Sequence, residues 1–278
     1  MTPDRTIVVT GAAGGLGSAI ARALVAAGAN VFAVDRGTDP EGQGSDEAAL
    51  QPLEQELGRE RLATSHADVL ASEAAEQAFD AARERFGAVH GLVMAAGARH
   101  RRGILKLGQA EVERALALGL TAPLTWTSAF ARRWVGERAP GSVVLFTSPS
   151  AFFGAQRQAG EAAAAAGIVA ATRSAALELR RHRIRVNAVA PTARTRLTED
   201  LPLFKNVKAG SLGPEGVAPL VLHLLSDASE AVHGEVVGAA GGRMYALHAR
   251  ETTGAFAEGE SFSAAEVGER WAEITSGR

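Results

Sequence analysis

The sequence predicts an α/β protein: a single Rossmann-like domain with a doubly wound parallel sheet of about seven strands, followed by a C-terminal helical extension. Short β-branched runs alternate with amphipathic, alanine-rich stretches along the chain. Continuous apolar strands separated by helices are what a parallel sheet covered on both faces requires. The first of these strands runs into a glycine-spaced turn and then a helix, in "VVTGAAGGLGSAIARAL". With 278 residues, 46% of them apolar, the chain is long enough to bury one sizeable α/β core.

The elements follow in order. "TIVVT" precedes a helix over 18–27, "NVFAV" one over 47–57, and "RLATSHADV" one over 73–86. "GLVMAAG" leads to two helical stretches within 109–135, "SVVLFTS" to a long helix over 159–181, and "IRVNAVAP" to a helix over 214–226 and the strand in "GEVVGAAGG". The polar, glycine-rich stretch 36–47 is a surface excursion rather than a linker. Residues 1–242 thus form the sheet domain. Residues 243–278 form an extension expected to pack on that domain or on a neighbouring subunit. In this extension Ser263 is a candidate N-cap with Glu266 three residues on, and Phe262, Val267, Trp271 and Ile274 recur at helical spacing.

Composition excludes several classes of function. Basic and acidic side chains number 29 and 31, so nucleic acid is not an expected partner. There is no cysteine, which rules out disulfides, thiolate catalysis and cysteine metal sites. The seven histidines show no metal-ligand spacing with acidic partners. The start "MTPDRTIVVTG" has no basic region or cleavage site, and no apolar run is expected to cross a bilayer. These features predict a cytoplasmic protein without a membrane partner.

The glycine turn has a physical logic. Gly11 lets the strand turn sharply, Gly15 lets backbone approach a pyrophosphate, and Gly17 lets the helix pack tightly. The helix N-terminus offers free N–H groups to phosphate. The next strand ends at Asp35, whose carboxylate suits a ribose 2'-hydroxyl and repels a 2'-phosphate, so NAD is the expected cofactor rather than NADP.

These residues resemble the short-chain dehydrogenase/reductase family. Thr10, Gly11, Gly15 and Gly17 match its glycine pattern, which encloses Leu16. Asp68 and Val69 match its adenine-contacting pair, and Asn187 to Pro191 its "NAVAP" strand end. Met94, Ala95, Ala96 and Gly97 stand where the family has "NNAG", with Ala96 and Gly97 bordering the cofactor. The segments "APTARTRLTEDLP", "PEGVAPLVLHLLSD" and the tail resemble the branch that contains the (3R)-hydroxyacyl-CoA dehydrogenase part of peroxisomal multifunctional enzyme type 2 and its bacterial relatives. That resemblance implies β-hydroxyacyl-CoA thioester ligands, a homo- or hetero-oligomer, and a C-terminus that packs across subunits.

It also implies where catalysis belongs. The family uses a Tyr as proton donor, a Lys four residues later on the same helix face, a Ser that orients the substrate oxygen and an Asn that completes a proton relay. A cation close to a phenol favours phenolate, and i and i+4 share a helix face. Ser148 falls at the Ser position. The Tyr position holds Glu161, the Lys position Ala165 and the Asn position Gly119. Register cannot repair this, because Tyr245 is the only tyrosine and Lys106, Lys205 and Lys208 are the only lysines.

The nearly featureless helix start "AGEAAAAAG" is therefore an erased active site. A positioned acid or base contributes roughly 10²- to 10⁴-fold in rate. Its loss predicts a non-catalytic subunit that partners a related, active NAD-dependent dehydrogenase in β-oxidation-like metabolism. Two alternatives stand beside it: a lyase, dehydratase or isomerase using Glu161 and Ser148, and an NAD(H)-binding sensor or interaction protein. Arg99, Arg101 and Arg102 suit a phosphate of CoA, a partner or solvent, and Arg194 and Arg196 an anionic substrate or a subunit contact. The small residues Gly160, Ala162 to Ala166 and Gly167 suit close approach of a neighbouring subunit's helix.

Overall fold

The computed structural model describes residues 3–205, 207–208 and 210–276. Its first half is β1 (Thr6–Thr10), α1 (Gly15–Ala26), β2 (Asn30–Val34), α2 (Gln51–Leu57), β3 (Leu62–Ser65), α3 (Ala74–Phe86) and β4 (Gly91–Met94). The second half continues with α4 (Gln109–Leu116), α5 (Ala122–Glu137), β5 (Gly141–Phe146), α6 (Ser150–Phe153), α7 (Ala159–Leu179) and β6 (Ile184–Pro191). It ends with α8 (Pro202–Lys205), α9 (Ala218–Leu225), β7 (Val236–Ala240) and β8 (Arg243–Ala246).

The sheet order is β3-β2-β1-β4-β5-β6-β7-β8. Strand order reverses between β1 and β4, whose last residues Thr10 and Met94 are register partners. A crevice opens at the carboxyl ends of the strands at such a reversal, and it is where doubly wound sheets bind ligands. The first seven strands are parallel, as their uninterrupted apolar character predicts. The eighth runs antiparallel to β7, with Val237 opposite Ala246 and Ala240 opposite Arg243. The sheet has eight strands, close to the seven or so expected: Arg243–Ala246, assigned from sequence to the extension, is an edge strand with three of its four residues exposed. The first compact unit accordingly runs from Met1 to Ala246 and the second from Leu247 to Arg278.

Helix α3 meets α5 through aromatic side chains. Phe79, Trp126, Phe130 and Trp134 are all buried, and Phe79 and Phe130 meet edge to face at 5.1 Å between ring centroids. Both indoles are satisfied, Trp126 Nε1–H donating to Val69 O at 3.0 Å and Trp134 Nε1–H to Val89 O at 2.7 Å.

Helix α7 bears on the expectation that no apolar run crosses a bilayer. Together with the 3-10 turn after it, it is long and apolar enough to cross a membrane by length and composition, because its first half is almost entirely alanine and glycine. Its buried face, which includes Ala164, Ala165, Ile168 and Thr172, packs on β5 and β6.

The second unit contains α10 (Ala264–Glu269) and α11 (Trp271–Thr275). The predicted cap is present: the Glu266 N–H donates to Ser263 Oγ, and Glu266 Oε2 accepts from the Ser263 N–H at 2.7 Å. The helical spacing from Val267 to Ile274 is carried by two short helices that meet at Arg270, whose side chain pairs with Glu273 and donates to Phe256 O.

Candidate functional site

At the carboxyl ends of β1 and β4 the backbone itself shapes a cavity of about 110 Å³. Gly11 turns with φ of +67°, and a Cβ there would stand 2.6 Å from the backbone of Ala95 and Ala96. Only glycine lets the two strand ends cross this closely. Gly14 caps α1 in extended conformation with no side-chain partner, which leaves the first amides of the helix facing the cavity. Gly11, Gly15, Leu16 and Gly17 all line it, as do Asp68 and Val69 at one end and Ala96 and Gly97 at the other.

Asp35 lines the same cavity, but its carboxylate is partly engaged. Oδ2 accepts from the Ala13 N–H at 2.9 Å and Oδ1 from the Gly37 N–H at 2.7 Å. Each oxygen keeps a second lone pair for a ligand hydroxyl. Arg36, next to Asp35, turns to Asp68 at 2.5 Å and to Gly42 O at 3.1 Å. The excursion 36–47 closes against the segment after β4, where the Arg99 N–H donates to Pro40 O at 2.7 Å and Arg99 pairs with Glu41.

A second cavity of about 530 Å³ continues from the first, sharing Leu16, Ala96, Gly97, Leu118 and Leu197 with it. Ser148, Glu161, Ala165 and Gly119 all line it, so the structure gathers the four positions singled out from sequence. Ser148 Oγ accepts from the Ser150 hydroxyl at 3.0 Å and the Ser150 N–H at 3.2 Å. Glu161 Oε1 accepts from the His100 N–H at 2.6 Å. Burial pushes the Glu161 carboxyl up from the ordinary range, against the pull of that amide and of Arg101 and Arg99. Ala165 contributes only its carbonyl, which accepts from the Thr147 hydroxyl at 2.8 Å.

Gly119 sits in a π-helical turn, Ala117–Thr121, between α4 and α5. Such turns are rare and often lie at functional sites. A Cβ on Gly119 would stand 2.9 Å from Ala164 Cβ, and one on Gly160 would stand 3.3 Å from Ala115 Cβ. The small residues of α7 are thus partly spent inside the chain, on α4 and the π turn. The face left outside carries Ala163, Ala166 and Ala170.

The remaining candidates divide. Tyr245 stands on β8 opposite Gly238, and neither it nor any lysine lines these cavities among the described residues. Arg194 turns to Phe204, donating to its carbonyl and covering its ring, while Arg196 lines the first cavity. Among the described residues no group of histidine and acidic side chains is placed to hold a metal. Nothing in the sequence marks the ties that hold the segment after β4: Arg101 pairs with Asp200 at 2.6 Å and donates to Leu197 O at 2.6 Å.

Comparisons with known proteins agree with this geometry. The family pattern described as short chain dehydrogenase matches residues 5–202. A short-chain type dehydrogenase/reductase of Mycobacterium tuberculosis is 33% identical over 274 residues, 98% of this chain and 94% of the relative. The (3R)-3-hydroxyacyl-CoA dehydrogenase of Mus musculus is 30% identical, covering 84% of this chain and 94% of that protein. The crystal structure of a short chain dehydrogenase from Mycobacterium avium superimposes with a TM-score of 0.86 at 30% identity, covering 98% and 94% of the two chains.

Proposed function

The chain belongs to the short-chain dehydrogenase family, and we propose that it is a dinucleotide-binding member that does not transfer hydride alone. In this reading it is the non-catalytic partner of a related, active dehydrogenase subunit in β-oxidation-like metabolism of a CoA thioester. One observation carries the reading: beside Ser148, the wall of the second cavity is built from Glu161, Ala165 and Gly119, where the family's chemistry calls for Tyr, Lys and Asn. A carboxylate already bonded to the His100 amide does not replace a phenol backed by a cation. Losses within one catalytic unit are not additive, so the three changes together leave negligible carbonyl reduction.

The residues fit a nicotinamide dinucleotide at one end and lack a grip at the other. The bare N-terminus of α1 and the close-packed Gly11 suit the pyrophosphate, and buried Asp35 favours a ribose hydroxyl over a 2'-phosphate. Ala165 offers no ammonium to the nicotinamide ribose, so affinity for NAD is expected to be weak. A bound nicotinamide supplies or accepts hydride; with no phenol at 161 and no ammonium at 165, this chain lacks the pair that completes that step in the family.

A second reading has its own observation. Glu161 is half-buried, anchored by one hydrogen bond and shifted towards holding a proton. This suits an acid–base role in a lyase, dehydratase or isomerase, with Ser148 as hydrogen-bond partner.

Calorimetric titration with NAD and NADH, run beside co-purification from the native cells, separates the readings. The first expects weak binding, no turnover, and stoichiometric recovery with a dehydrogenase that carries its own Tyr and Lys. Robust NAD-dependent oxidation of a hydroxyacyl-CoA by the isolated chain sinks it.

A further inference from the structure

We propose that a third cavity, of about 550 Å³, binds a phosphate monoester on Arg102 and Arg157. It adjoins the second cavity through a shared wall that includes His100, Arg101 and Leu201. The proposal goes beyond the reading above and holds whether or not the chain transfers hydride.

Charge around this cavity is unbalanced. Arg99, Arg101, Arg102, Arg114 and Arg157 line it against Glu41, Glu111 and Asp200. Five guanidiniums face three carboxylates. Glu41 and Asp200 are committed to Arg99 and Arg101, and Glu111 lies 3.6 Å from Arg114. Arg102 and Arg157 have no carboxylate partner among the described residues. His100 does not add to the positive charge, because burial, then Arg114, holds its imidazole below the ordinary range.

The backbone brings the two unpaired arginines together. The Arg102 N–H donates to Arg157 O at 2.8 Å, and Arg102 forms an isolated parallel bridge with Gln158. Arg157 is held there at φ of +64°, in the left-handed region that arginine rarely occupies. Strain of this kind persists where the surroundings impose it, and it clusters at ligand sites. Arg102 and Arg157 are both exposed, so solvent screens part of their mutual repulsion and a bound anion would relieve the rest. On the same wall, His100 Nε2 and Arg101 Nε are buried without partners.

A phosphate monoester matches this arrangement. It carries a charge of about −1.5 to −2 at neutral pH, close to the imbalance of the lining. Its oxygens accept paired N–H bonds from planar guanidiniums. Such a phosphate has two sources: the head of a substrate whose body extends past Arg101 and Leu201 into the second cavity, or a small free phosphate compound.

The test is calorimetry of the full chain with methyl phosphate and octyl phosphate at low salt. The Gly14→Asp variant removes any contribution of the α1 N-terminus. The expected result is binding retained in Gly14→Asp, weakened about tenfold or more in Arg102→Gln/Arg157→Gln, and weakened by added salt. The pair Arg180→Gln/Arg181→Gln, exposed elsewhere on the chain, is expected to stay within about twofold. If the glutamine pair fails to fold by circular dichroism, Arg102→Lys/Arg157→Lys keeps the charge, loses the fork geometry and is expected to bind with intermediate affinity. Binding by the glutamine pair equal to wild type, or an equal loss in the control pair, overturns the site. Tighter binding of octyl than of methyl phosphate identifies the substrate source, and equal binding the free compound; the site stands in both cases.

Discussion

Replacing Glu161 by glutamine separates the charge of this side chain from its role as an acceptor. Glu161 Oε1 accepts from the His100 N–H at 2.6 Å, and a glutamine carbonyl oxygen takes the same bond. What disappears is a carboxyl whose pKa burial has raised. Such a group stays protonated in the folded chain where the unfolded chain has released its proton. The stability it gives is complete below the ordinary carboxylate range and is lost as pH rises through the raised folded-state value. With one proton at stake, the wild type loses at most about 1.4 kcal/mol per pH unit across that window relative to the variant. The bond from the His100 amide favours the ionised form and is already contained in that net shift.

Glu161→Gln is therefore expected to be more stable than wild type at neutral pH, by about 1.4 kcal/mol for each pH unit by which burial raises the carboxyl, and equal to it under acid conditions. Urea unfolding of both proteins at a series of pH values measures the difference directly. A variant less stable than wild type at neutral pH, or a difference that does not change with pH, would refute burial as the dominant influence on this carboxyl. Any turnover found in the wild type and left unchanged in the variant removes Glu161 as its acid or base.

Three other variants probe the rest of the site and its support. Gly14→Asp places a favourable N-cap on α1 and a negative charge where phosphate is expected; titration with NADH should show binding lost, while thermal unfolding shows stability unchanged or slightly higher. Glu161→Tyr/Ala165→Lys restores the proton donor and its cation, and hydride transfer with a short β-hydroxyacyl-CoA, followed by NADH absorbance, should rise by roughly 10²-fold or more; no gain means this wall is not an erased dehydrogenase site. Arg185, buried in β6, donates to Leu224 O at 2.5 Å, Ser229 Oγ at 2.5 Å and Ser226 O at 3.1 Å. Arg185→Met removes these charge-assisted bonds, leaving the Ser142 and Ser229 hydroxyls on Leu224 O and the Ser229 hydroxyl on Ser226 O, and should cost about 1.5–3 kcal/mol, read as a lower urea midpoint at constant slope.

What the sequence made legible is what steric necessity dictates. Gly11 could be picked out because a positive φ and a crossing of two strand ends tolerate no other side chain. Buried parallel strands could be picked out because both of their faces must be apolar, as the fully buried β1 and β4 are. Strand β8 escaped because three of its four residues are exposed and its pairing begins after a two-glycine turn, so neither apolar run nor alternation marks it. Side-chain ties between distant segments escaped for a different reason. Arg101 and Asp200, or Asp35 and the amide of Ala13, meet only because loops take a particular path, and loop paths leave no periodicity in the chain.

Helix α7 shows where the two kinds of information meet. Alanine is the best helix former, so an alanine run has a local explanation that hides any other. The structure separates the causes residue by residue. Ala164 is small because Gly119 of the π turn lies against it, and Gly167 because Leu120 does. Ala163, Ala166 and Ala170 face outward and meet no such constraint. Ala165 belongs to neither group: it lines a cavity of about 530 Å³ that has room for a longer side chain. At that position packing does not account for alanine, which fits the proposal that the chemistry of this wall changed while the fold was kept.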